Sequence, residues 1–205
     1  MLLSLTFSVA AFAAGGDQTQ NPKNQALMLF EQGDGLIQSG KYEEAKKVLN
    51  DAVALDPRYV EAYDSLGKIS MLQLKYEEAI DEYSKAINVS PDDYTANFNQ
   101  GVAFYHLGKY DEVIHNFTNV IRLYPKNHAA YNIRGIAYFE QGKLDEAIRD
   151  YSKAIELNPG YAKAYNNRGI AYLRQGKQAE AESDFVKSGQ PLSGQSGTRS
   201  NKCAF

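Results

Sequence analysis

Four prolines, Pro57, Pro91, Pro125 and Pro159, stand 34 residues apart, and no other feature of the chain restricts its fold as strongly. Laid in register on them, the sequence aligns small residues in columns. Gly33, Gly67, Gly101, Gly135 and Gly169 form one, Ala45, Ala79, Val113, Ala147 and Ala181 a second, and Ala52, Ala86, Val120, Ala154 and Ser188 a third. Small residues at fixed points of two helices let the backbones approach, and large residues fill the gaps. The large columns are Leu29, Tyr63, Asn97, Tyr131 and Tyr165 in the first half of each period and Leu49, Tyr83, Phe117, Tyr151 and Phe185 in the second. Within the period from Tyr131 to Pro159, two apolar runs at helical spacing flank Gly142 and stop at the proline, which reads as helix, turn, helix, stop. Helices this short, each with one apolar stripe, are unstable alone in water and need neighbours to cover them.

The pattern predicts an all-α domain over 22–188 made of five hairpins, 26–59, 60–93, 94–127, 128–161 and 162–188. Asn21-Pro22 supplies an N-cap followed by proline at the first helical position, so the first helix starts slightly ahead of the register. Gly40, Gly108, Gly142 and Gly176 occupy one place in four hairpins, as expected of left-handed residues that close the first helix. The second hairpin has Leu74 there, at a cost of about 1 kcal/mol if its turn has the same shape.

A 34-residue period with Gly and Ala columns, aromatic partners and a closing Pro resembles the tetratricopeptide repeat, over Ala26 to about Ser188. The resemblance implies a right-handed superhelical solenoid of antiparallel helix pairs, with first helices lining the concave face and second helices the convex one. Each repeat touches only its neighbours in such an array. The same family has members that clamp a C-terminal carboxylate with Lys and Asn, then Asn, then Lys and Arg in three successive repeats. None of the three windows in this sequence offers more than one match, so that clamp is not expected.

The ends differ from the middle. Residues 1–14, MLLSLTFSVAAFAA, are uncharged and apolar and include Ala11-Phe12-Ala13, which fits a secretory signal, and they are too short to span a bilayer. Export to the periplasm or the outside is the expectation. The alternatives are a tether, with membrane contact only if this segment is uncleaved, or a cytoplasmic chain. Residues 15–21 read as a flexible mature N-terminus and 189–205, rich in Gly and Ser, as a disordered tail. The column Lys46, Ile80, Ile114, Ile148, Glu182 is apolar only in the interior, so the last hairpin is expected to cap itself through Glu180, Glu182 and Asp184, the alternative being that its exposed side pairs with another molecule.

The chemistry expected is recognition, not catalysis. With 22 basic against 25 acidic side chains, the charge balance of −3 points to no nucleic-acid partner. His106, His115 and His128 fall at unrelated register positions, the lone Cys203 lies near the end, and there is no HExxH, CxxC or phosphate-binding Gly loop. No catalytic residue, metal or cofactor is predicted. The tripeptides starting at Asn88 and Asn116 match the glycosylation pattern but fall inside second helices.

Binding has better equipment. The residues that first helices should turn toward the groove include Phe30, Phe98, Val102, Tyr105 and Phe139, beside the polar Asp64, Lys68, Asn132, Lys163, Asn166 and Arg174. Ile37, Met71, Leu72, Ile136, Ile170, Leu173 and Asp34 belong to the same projection. An apolar and aromatic lining with polar groups beside it suits a peptide or helix segment of another protein. Charge is graded along it, with Asp34, Glu61 and Asp64 at one end and Arg134, Lys163, Arg168 and Arg174 at the other. A self-associating scaffold, a homo-oligomer built through the array ends, is the alternative function.

Overall fold

A computed structural model describes residues 21–189. Among them lie ten helices and no strand: α1 Pro22–Gln38, α2 Tyr42–Leu55, α3 Val60–Leu72, α4 Tyr76–Val89, α5 Tyr94–His106, α6 Tyr110–Leu123, α7 His128–Glu140, α8 Leu144–Leu157, α9 Ala162–Arg174 and α10 Gln178–Lys187. The signal-like segment at 1–14, residues 15–20 and the tail beyond Gly189 lie outside the described residues.

Local chemistry sets the helix ends. The Asn21 side chain accepts from the Lys23 amide at 3.0 Å with Pro22 in the first turn, and Asp93 and Asn127 cap α5 and α7 in the same manner. Helices α2, α4, α6 and α8 have no side-chain cap but carry two carboxylates each in the first turn, where they oppose the positive end of the helix dipole.

Packing follows the columns. Leu49, Tyr83, Phe117, Tyr151 and Phe185 are all buried against the glycines of the preceding helix. A Cβ at Gly67 would stand 2.6 Å from the Tyr83 ring, so only glycine lets α3 sit this close to α4.

The turns inside the hairpins are left-handed. Gly40, Gly108, Gly142 and Gly176 have φ between 68° and 76°, and Leu74 holds φ 60° although it has a side chain. That side chain is 69% exposed and makes up little of the strain by packing. Leu74→Gly is expected to raise Tm, by about 0.5–1 kcal/mol of stability once the greater freedom of glycine in the unfolded chain is subtracted. A thermal melt that is unchanged or lower would contradict it.

The hairpins stack into an arc whose inner side is made by the odd-numbered helices. Besides contacts between successive helices, α1 touches α3, α3 touches α5 and α7 touches α9, whereas no even-numbered pair comes as close. Helices that crowd one another lie on the inside of a bend, and those that splay lie outside.

One expectation about the last hairpin is corrected. Asp184 does not solvate the end of the array: it is 2% exposed and receives two hydrogen bonds from Arg168, at 2.7 and 2.8 Å. Glu180 and Glu182 do face solvent, and Val186 remains 60% exposed beside them.

Candidate functional site

The inner face carries a half-buried apolar strip flanked by charge. Phe98 on α5 lies 5.4 Å from the Tyr94 ring and meets the Phe117 ring edge-on at 5.3 Å, which fixes its orientation while one side stays open. Val102 and Tyr105 follow on the same helix, half-buried, and Phe30 on α1 tilts against Tyr59 at 5.1 Å. Met71 is half-buried and Leu72 is 52% exposed on α3. Lys68, Lys163 and Arg174 are exposed, and Asn166 is half-buried.

Two residues expected on this face are inside the core. Asn132 and Phe139 are fully buried, because α9 closes over α7. Asn167 donates to the Asn132 carboxamide oxygen at 3.0 Å, and the Arg174 guanidinium lies 4.2 Å above the Phe139 ring. Ile37, Ile136 and Ile170 are also buried. An apolar patch that a partner could touch is therefore centred on α3 and α5, and Phe139 supports it from beneath.

Arg134 and Arg168 do not add to the groove's charge. The Arg134 guanidinium forks onto Asp150 of α8 at 2.7 and 2.8 Å and donates to Thr118 of α6 at 3.1 Å, between the rings of Tyr131 and Tyr138. Arg168 repeats the arrangement with Asp184 and with Ser152 of α8. Each guanidinium bolts a first helix to the second helices on either side of it. The hydrogen bond to Asp150 holds the Arg134 guanidinium in its charged form, and burial pushes the Asp150 carboxyl up against that pull.

Asp64 is the electrostatic anomaly of the inner face. Its Oδ1 is shut off from solvent without a hydrogen-bond partner. Burial, followed by repulsion from the Asp93 and Glu61 carboxylates, pushes its pKa up to about 7.

The three histidines do not converge. His106 stacks on Tyr76 at 4.7 Å, His115 is exposed on α6, and His128 meets Tyr161 edge-on. No cluster of three metal-ligating side chains occurs among the described residues. Nor is any helix among them long and apolar enough to cross a membrane. Asn116, at the second glycosylation tripeptide, is 8% exposed with its amide bonded to Gln100, so it is closed to modification in the fold. Hollows of about 670 Å³ at the α6–α7 turn and about 550 Å³ between α4 and α6 lie off the inner face. For the second, the signal in the sequence is Asn97, which stands in a column otherwise made of larger side chains.

Family comparison agrees with this geometry. A model of the TPR repeat matches residues 33–73, 67–108 and 135–176, and two tetratricopeptide repeat models match 95–127 and 116–149. The chain belongs to the tetratricopeptide repeat family. Solved structures of similar fold include YrrB, described as a TPR protein with an unusual peptide-binding site, at 22% identity over 83% of this chain and 88% of that one with TM-score 0.72. A MamA structure is 27% identical over 80% of this chain and 90% of its own with TM-score 0.76, and a second is 28% identical over 76% and 91% with TM-score 0.73. No curated protein sequence matches the chain. The tetratricopeptide array is thus a right-handed solenoid of helix pairs, and it is a protein–protein interaction module.

Proposed function

We propose that the array is non-enzymatic and holds a peptide segment of a partner protein on its inner face, with the α3–α5 strip as anchor. The observation that carries this reading is the set Met71, Leu72, Phe98, Val102 and Tyr105, apolar and partly open on the side where helices crowd. Aromatic anchors held by their own neighbours lose little freedom on binding, so the affinity they supply is not spent on ordering the site. Charge then orients the guest. Glu61 and Asp64 favour its basic end, and Lys163 and Arg174 favour its acidic end. Export through the N-terminal segment remains part of the proposal, and it places the partner in the same compartment.

Affinity capture from extracts, comparing wild type with Phe98→Ala/Lys163→Glu, tests the surface. The expected result is loss of a protein that the wild type retains. Recovery of the same proteins by both would move binding off the inner face.

A second reading has its own observation. Leu27, Met28 and Leu55 are 46%, 59% and 38% exposed at the first end of the array, where Met28 and Leu55 line a hollow with Leu29. Apolar residues uncovered at an array end favour self-association through that end. Light scattering across a concentration series separates the two readings, since a chain that stays monomeric when concentrated is no end-to-end scaffold.

A further inference from the structure

The third repeat breaks a column on the outer face and leaves a hollow there. At the corresponding place the second, fourth and fifth repeats carry Tyr63, Tyr131 and Tyr165, each half-buried, and Tyr63 packs against the cores of both the first and the second hairpin. The third has Asn97, 2% exposed. Tyr63 reaches the Pro57 carbonyl with its hydroxyl at 3.4 Å, and Asn97 reaches the equivalent Pro91 carbonyl with its amide at 3.0 Å. Asparagine therefore reproduces the hydrogen bond without reproducing the volume. The missing phenol corresponds to the hollow of about 550 Å³ between α4 and α6, walled by Ile87, floored by Asn97 and Gln100, and edged by Asn119 and Arg122.

The floor of the hollow favours a ring over another polar chain. The Asn97 amide nitrogen donates to Pro91 and Asp93, and its oxygen accepts from Asn119 at 3.1 Å. Gln100 donates to Ile80 and Ser84 and accepts from Asn116. With their donors and acceptors used internally, these carboxamides offer flat faces, not free hydrogen-bonding groups. A cation also waits at the edge. Lys85 and Lys187 lie 6.0 and 5.8 Å from the rings of Tyr63 and Tyr165, and in the third repeat that place is taken by Asn119, which pins the exposed Arg122 at 2.8 and 3.2 Å. Arg122 has no carboxylate partner among the described residues. A guanidinium held by its neighbour and not neutralised is equipped to stack on an aromatic face.

We propose that this hollow is a second binding site, on the face opposite the groove, and that it receives a tyrosine side chain of a partner protein in the place where the other repeats use their own. The two sites share no residue, so either can fail without the other.

The test titrates capped Gly-Tyr-Gly and capped Gly-Leu-Gly into the full chain and follows the NMR signals of the Asn97 and Asn119 side-chain amides and the Arg122 Nε–H. The tyrosine peptide is expected to shift them and the leucine peptide is not. Asn97→Tyr fills the hollow and abolishes the response. Arg122→Glu, at an exposed position that leaves folding intact, weakens it several-fold and keeps the test open should Asn97→Tyr fail to fold. Equal responses to both peptides, no response to either, or an undiminished response in Arg122→Glu overturns the proposal.

Discussion

Replacing Arg134 with Met is expected to lower stability by about 3–5 kcal/mol, because it strands a carboxylate that the fold has already taken out of water. The Asp150 side chain is 9% exposed, and both its oxygens are bonded to Arg134. Without the guanidinium, burial is opposed only by the weaker pull of Arg149 and drives the carboxyl further above its ordinary range. A folded-state pKa raised above the unfolded value is a penalty felt at high pH and relieved by protonation. The deficit of the variant should therefore shrink as pH falls from 8 toward 5. Arg134→Met/Asp150→Leu removes both charges and should recover most of the loss, since a buried pair contributes little beyond an apolar pair of similar size. Urea unfolding of the wild type, both single variants and the double variant at two pH values measures the coupling. Additive losses in the double variant would show that the fork is not the reason these residues matter.

Asp64→Asn should act in the opposite direction. The wild-type carboxyl titrates near 7 in the folded chain and near 4 in an unfolded one. Above pH 7 the fold carries an unpaired charge beside Asp93 and Glu61. As pH falls from 7 to 4 that penalty disappears, and below the unfolded pKa it is gone. The side chain is only part-buried, so solvent screening limits the gain of the variant to about 1 kcal/mol at pH 8. Parallel melts at pH 8 and pH 4.5 check this, with the curves expected to separate at the first and converge at the second. A constant gap would mean that the charge is not what makes Asp64 unfavourable. A basic guest beside Asp64 would supply the missing counter-charge, so the same residue that weakens the empty array would strengthen the loaded one.

The helical hairpin was legible in the sequence as the repeating unit. The proline spacing and the glycine columns placed all five hairpins, and the odd Leu74 in a glycine position was legible as a strained turn. The inner face was less legible, for a reason visible at Asn132 and Phe139. A helical projection says which residues point toward the inside of the curve, but burial there depends on how tightly the next first helix closes, and that is set by residues 35 positions later, Asn167 and Arg174. Where α9 itself has no further odd-numbered helix to cover it among the described residues, the equivalent Asn166 and Leu173 stay partly open. Arg134 and Arg168 read as groove charge in the sequence, because their partners Asp150 and Asp184 fall where an exposed acid is ordinary in a helix. Asn97 stands in the sequence as one more member of the column of large residues, and only its packed neighbours show the hollow beside it.

Because among the described residues no helix leans substantially on anything farther along the chain than the next hairpin, this part of the fold contains no long loop that must close before structure can begin. The polypeptide can be read out and shaped at the same pace. Each unit finds its dock as soon as the following one has been synthesised, with little time for an uncovered apolar face to meet a stranger.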